Sequence, residues 1–103
     1  MIYIFWTCSE MQEAKSIVHD LLEKQLIACA SLIPEVTSIY RWQGKIEENQ
    51  EVKVILKTTE NHFDAIQNYL QMHSSYDVPE IIQIDVKRGN PSYLSWISRE
   101  TEG

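Results

Sequence analysis

Apolar residues recur along this chain with two periods, and the switches between them mark the elements. Ile2–Thr7 is a continuous apolar and aromatic run, as in a strand buried on both faces. Ser9 with Gln12 three residues on spells a capping box, and Glu10 and Glu13 suit the positive end of a helix dipole. A helix is therefore predicted from Ser9 to near Lys24–Gln25, with Ala14, Ile17, Val18, Leu21 and Leu22 as its apolar stripe. Leu26–Ile33 reads as a second buried strand. Pro34 cannot donate to a ladder, so a bulge or kink is expected at Pro34–Glu35, with Val36 carrying the strand onward. Beyond it Ser38, Tyr40 and Trp42 share one face by the period-2 rule, and Ile39 and Arg41 the other. Glu51–Lys57 is β-branched-rich and has few breakers. Thr59 is a fair N-cap for a second helix with Phe63, Ile66, Tyr69 and Leu70 at helical spacing, ending near His73. Ser74–Val78 is a loop. Glu80–Val86 alternates, with Ile82, Ile84 and Val86 on one face and Gln83 and Asp85 on the other. Asn90 as N-cap and Pro91 at the first helical position open a short last helix that packs through Tyr93, Leu94, Trp96 and Ile97. Thr101–Gly103 reads as a tail.

The stretch Thr37–Thr59 is one long hairpin. Gly44 is the natural point of reversal, because glycine takes positive φ freely. Gln43-Gly44 fits a two-residue loop or a three-residue loop with a bulge, and the two differ in register by one. Lys45–Thr59, if extended, would span roughly 50 Å at ~3.4 Å per residue. A compact domain of this length has a radius of gyration of only about 13 Å. The hairpin must bend or project. A projecting two-stranded ribbon is marginal in water and has unpaired edges, so it is expected to pack on neighbouring subunits.

The order β-α-β-β-α-β, then a helix, predicts an α+β fold: a ferredoxin-like βαββαβ sandwich with an elongated central hairpin and an added C-terminal helix. At 103 residues, one domain spanning 1–103 is expected. The formal net charge of −6 disfavours nucleic acid and anionic membrane as partners. An RNA-binding sheet fails for a second reason: Glu51–Lys57 offers no aromatic for base stacking. Cys8 and Cys29 make no disulfide scaffold, and the N-terminus has no basic region before its short apolar run. A reducing cytoplasm is the default expectation.

No nucleophile elbow, phosphate-cradling glycine loop, HExxH or CxxC motif occurs, so no enzyme is expected. His73, Tyr76, Asp77 and Glu80 cluster between a helix end and a strand start, where a histidine and carboxylates could bind a divalent cation. The plainer reading is a histidine favouring the helix C-terminus and a solvated Glu80. Cys8 follows a strand at a helix N-terminus, where a thiolate would be favoured and could act as a soft ligand. The plainer reading is a small, partly buried cysteine. Cys29 is expected in the core, and His19 and His62 on the surface. Tyr40 and Trp42 could form a ligand platform or pack on a partner subunit.

The segment CASLIPEVTSIYRWQGKIEENQEVKVILKTT, beginning at Cys29, closely resembles the CutA family of divalent-cation tolerance proteins. His73-x-x-Tyr76-x-x-Pro79-Glu80 and Tyr93-Leu94-x-Trp96-Ile97 continue the match over nearly the whole chain. The resemblance implies a ferredoxin-like subunit, a homotrimer held by its long strands, and a cytoplasmic role in tolerance to divalent metals, copper especially. It also implies an architecture similar to the PII signalling proteins, which sense small molecules between subunits. The copper site that the resemblance implies uses a cysteine in the first strand and a pair of histidines. Here Trp6 stands at the strand position, with Cys8 two residues on; Ser74 follows His73, and Ser75 stands where a proline is common. Any copper site in this chain must be weaker or built differently. Two readings result. One is a divalent-metal-binding trimer with His73, Cys8 and Glu80 as ligands. The other is a PII-like sensor or adaptor that takes a small molecule or protein at the subunit cleft, through Tyr40, Trp42, Lys57, Tyr76 and Glu80. Lys57 separates them, since an ammonium suits an anionic ligand and not a cation; otherwise it would pair with a glutamate across the sheet.

Overall fold

The structure, a computed structural model, describes residues 1–102. The elements in order are β1 (Ile2–Cys8), α1 (Met11–Glu23), β2 (Cys29–Trp42), β3 (Lys45–Thr58), α2 (Phe63–His73), β4 (Ile81–Asp85) and α3 (Pro91–Glu100), with a 3₁₀ turn at Glu60–His62 before α2. The four strands form one antiparallel sheet in the order β2-β3-β1-β4. This is the ferredoxin-like arrangement expected from the sequence, with a third helix added.

The core lies between the sheet and the first two helices. Ile2, Ile4, Trp6 and Cys8 of β1 alternate with outward-facing residues, and Val52, Val54 and Leu56 of β3 join them. Ala14, Ile17, Val18 and Leu21 of α1 and Ile66 and Leu70 of α2 close over this face. The other face keeps Ile33, Ile82 and Ile84 exposed. These three share it because Ile33 pairs with Lys53, Phe5 with Ile82 and Tyr3 with Ile84, while directly opposed residues point the same way. The alternation predicted for the last strand thus turns Ile82 and Ile84 away from the helices, while Ile81 packs against the core.

Local chemistry moves several expected boundaries. The capping box does not form: β1 runs on to Cys8, Ser9 and Glu10 turn the corner, and α1 starts at Met11 with Glu10 at the N-cap. The Ser9 hydroxyl donates instead to the Glu13 carboxylate at 3.4 Å. At its other end α1 closes in a Schellman motif. Gln25 N–H donates to the Leu22 carbonyl and Leu26 N–H to that of Leu21, both at 3.0 Å, with Gln25 at φ 57°. Leu26–Ala28 is consumed by this exit, so β2 begins at Cys29 rather than Leu26. Thr59 caps the 3₁₀ turn, not α2 itself. β4 is a residue shorter at each end than expected. Asn90 and Pro91 open α3 as predicted.

Three further expectations are corrected. Thr101 is no tail: it is buried, and its hydroxyl donates to the Ile97 carbonyl at 2.8 Å. Glu102 is exposed, and the Gly103 end of the expected tail lies outside the described residues. His62 is not a plain surface residue, because its Nε2 donates to the Thr101 carbonyl at 2.6 Å. Cys29 is half-buried beside the Tyr93 hydroxyl, 3.5 Å away, rather than in the core. That contact and burial push the Tyr93 phenol up to about 12.

The hairpin projects. The molecule measures 45 × 26 × 22 Å with a radius of gyration of 14.3 Å, above the ~13 Å of a compact chain this long. Trp42 pairs with Lys45 around a two-residue loop, and both Gln43 (φ 50°) and Gly44 (φ 79°) are left-handed, as a type I′ turn requires. The glycine was the expected positive-φ residue; the glutamine shares the role.

Candidate functional site

The bulge decides what the arm presents. Ile33 pairs with Lys53 and Val36 with Glu51, so β2 holds one residue more than β3 across Pro34–Glu35, and Glu35 takes φ 57°. An extra residue reverses the alternation. Before it Cys29, Ser31 and Ile33 face away from the helices; after it Val36, Ser38, Tyr40 and Trp42 do. The arm therefore continues the open face of the sheet with its aromatic side.

At the base of that side, against the loop before β4, lies a cleft of about 390 Å³. Ser38, Tyr40 and Trp42 of β2 and Asn49 and Glu51 of β3 form one wall; Tyr76, Asp77, Val78 and Glu80 of the loop form the other, and Thr7 of β1 lies at the base. Its polar groups are tied together. The Ser38 hydroxyl donates to Glu51, and the Asn49 amide donates to the Tyr40 hydroxyl. Lys53 donates to Glu80 at 2.8 Å while its ammonium lies 4.8 Å from the centre of the Phe5 ring. Burial, and then a hydrogen bond to the Glu51 carboxylate, raise the Tyr76 phenol well above its ordinary value. The hydroxyl keeps its proton at any physiological pH.

The structure brings four of the five sequence-predicted ligand residues to this cleft: Tyr40, Trp42, Tyr76 and Glu80. Lys57 lies elsewhere. It pairs with Cys29 at the far end of β2, sits 5.6 Å from the Tyr3 ring centre, and borders a separate cavity with Arg88 and Tyr93. It makes no ion pair with a glutamate; among the described residues the one ion pair is Lys53–Glu80. Sequence reasoning missed Glu51, Asn49, Thr7 and Lys53. The register carries their signal: a two-residue loop sets Asn49 opposite Ser38, and alternation then adds Glu51 and Lys53 to the same face.

The metal set His73, Cys8 and Glu80 does not fit a divalent ion within one chain. Cys8 is buried and its thiol donates to the Glu10 carbonyl at 3.5 Å. Burial pushes that thiol up to about 11, so the thiolate expected at a helix N-terminus is not favoured. His73, exposed at the end of α2, packs its ring 4.1 Å from that of Tyr69. Glu80 is held by Lys53. Among the described residues no three His, Cys, Asp or Glu side chains group as a metal site.

Comparison with known proteins places the chain. The family model described as CutA1 divalent ion tolerance protein matches residues 2–100. The chain is 43% identical over 98 residues to Protein CutA of Mus musculus, covering 95% of this chain and 55% of that protein. It thus spans about half the length of the mammalian relatives it matches. The divalent-cation tolerance protein CutA of Escherichia coli is 38% identical over 97 residues, with 94% and 87% covered. The crystal structure of CutA1 from Pyrococcus horikoshii superposes with a TM-score of 0.93 at 40% identity and full coverage of both chains. The periplasmic divalent cation tolerance protein CutA of Archaeoglobus fulgidus gives 0.95 at 35% identity, covering 99% of this chain and 100% of that one. With the fold, the arm and the sequence all in agreement, this chain belongs to the CutA1 divalent ion tolerance protein family.

Proposed function

We propose that this chain is a cytoplasmic homotrimer serving divalent-cation tolerance, and that it acts as a binding protein through the cleft at the base of its arm, set at the boundary between subunits. One observation carries the reading: the bulge at Pro34–Glu35 turns Tyr40 and Trp42 onto the same cleft as Tyr76 and Glu80. Assembly is supported by apolar surface that one chain leaves uncovered. Ile33, Ile82 and Ile84 are exposed on the open sheet face, and Ile39 and Ile46 on the arm. The names of the relatives support the link to divalent cations. Binding rather than catalysis is favoured because, among the described residues, no histidine, lysine, arginine or cysteine lines the cleft; the contact of the Ser38 hydroxyl with Glu51 is a simple hydrogen bond.

A divalent cation as the direct ligand is the second reading, supported by the names of the relatives; Glu51, Asp77 and Glu80 border the cleft but do not group as a three-donor site within one chain. Copper held by His73, Cys8 and Glu80 of one chain is not part of the proposal, since those groups do not converge.

A thermal-shift screen of soluble cell metabolites, with Cu²⁺ and Zn²⁺ alongside, tests the cleft. A ligand that binds only the folded state raises the melting temperature by mass action. At least one compound should stabilise the native protein and lose its effect on the Tyr40→Ala and Trp42→Ala variants. If every compound shifts native protein and variants alike, the cleft is not the site.

A further inference from the structure

The walls of the cleft specify a class of ligand. Three aromatic side chains, Tyr40, Trp42 and Tyr76, border it together with three carboxylates, Glu51, Asp77 and Glu80. The one ion pair among the described residues, Lys53–Glu80, offsets a single carboxylate and leaves Glu51 and Asp77 without a cationic partner. The chain as a whole is at −6. An anion is therefore repelled. A bare metal ion finds no grouped set of three donors. The Tyr40 hydroxyl accepts from the Asn49 amide and keeps one proton to donate. Beyond that donor, the three rings offer a ligand apolar surface and π-electron density. Aromatic faces attract cations that shed water easily, which alkylammonium groups do and small divalent ions do not. A volume of about 390 Å³ suits a small organic molecule.

We infer that the cleft takes a small organic cation of the alkylammonium class, packed against Tyr40, Trp42 and Tyr76, with Glu51 and Asp77 supplying the counter-charge. The inference rests on the cleft being the ligand site of the preceding section.

The test uses two probes of similar size and opposite character, tetramethylammonium chloride and tert-butanol, at constant ionic strength on the intact protein. The Trp42 indole and the Tyr40 and Tyr76 ring resonances are followed by NMR. Tetramethylammonium should shift them saturably, and tert-butanol at least about tenfold more weakly. Trp42→Leu keeps apolar bulk at a half-exposed position and should weaken tetramethylammonium binding about tenfold. Glu51→Gln should weaken it severalfold with circular dichroism unchanged. Equal binding of both probes at these rings overturns the cationic class while leaving the cleft as a ligand site. Zn²⁺ displacing tetramethylammonium at lower concentration overturns it in favour of a metal. If neither probe perturbs the three rings, the organic cation is ruled out, and the metabolite screen decides separately whether the cleft binds anything.

Discussion

Gln25 shows how much one backbone conformation can cost. It closes the Schellman motif of α1 in left-handed space, where a side chain with a Cβ is disfavoured by roughly 1–2 kcal/mol relative to glycine. Gln25→Gly keeps both backbone hydrogen bonds and removes that strain. Part of the gain is offset by the greater freedom of glycine in the unfolded chain. The expected net is a rise of about 0.5–1 kcal/mol, read as a higher denaturation midpoint in urea. A lower midpoint would mean that the glutamine side chain stabilises the exit in its own right. Cys8 makes a different prediction. Its thiol is raised from 9.0 to about 11 in the folded state by burial, so the unfolded chain loses that proton first as pH rises. The stabilisation is whole below about pH 9 and is lost between about pH 9 and 11, to the order of 2 kcal/mol. Stability measured across that window should fall more steeply for the native protein than for Cys8→Ala. Parallel slopes would contradict it. The helix end near Lys24–Gln25 and a partly buried Cys8 were both readable in the sequence; the left-handed backbone of Gln25 and the raised thiol were not. Gln25 lacks the glycine that advertises a left-handed helix exit, and a partly buried Cys8 gave no measure of how completely the sheet and α1 enclose it.

At the scale of elements, the bulge is the feature on which the site depends. Removing Glu35 restores the alternation, which turns Tyr40 and Trp42 to the side now held by Ile39 and draws Pro34 into the ladder without a donor. The deletion should cost roughly 1–3 kcal/mol, from the missing hydrogen bond and poorer packing. It should also abolish every ligand response that depends on the cleft while far-ultraviolet circular dichroism stays near native. Responses that survive the deletion would show that the face switch is irrelevant. The bulge itself was readable, because proline cannot pair and the hydrophobic pattern resumes after it. Its consequence was not, because an ambiguous turn left the register open by one residue, and one residue decides which side chains face the cleft. Tyr40, Trp42, Tyr76 and Glu80 were found by residue type and position. Lys57 was misplaced for a physical reason: alternation sets it on the correct face but says nothing of distance along the strand. It lies at the Cys29 end, where α3 brings Tyr93 and a separate cavity forms.

The whole molecule presents an unfinished surface. An arm that exposes Ile39 and Ile46 on one face and Tyr40 and Trp42 on the other projects from a sheet whose far side exposes Ile33, Ile82 and Ile84, and β2 and β4 are open edges. Burying this surface between three copies would complete the core that a chain of this length builds only modestly for itself. It would also set the cleft beside a neighbouring subunit. The account therefore stands most directly on the mass of the particle in solution. Sedimentation equilibrium at micromolar concentration should give a single species of three times the chain mass, and the Glu35 deletion should shift it toward smaller species. A native chain that sediments as a monomer under those conditions would contradict the account.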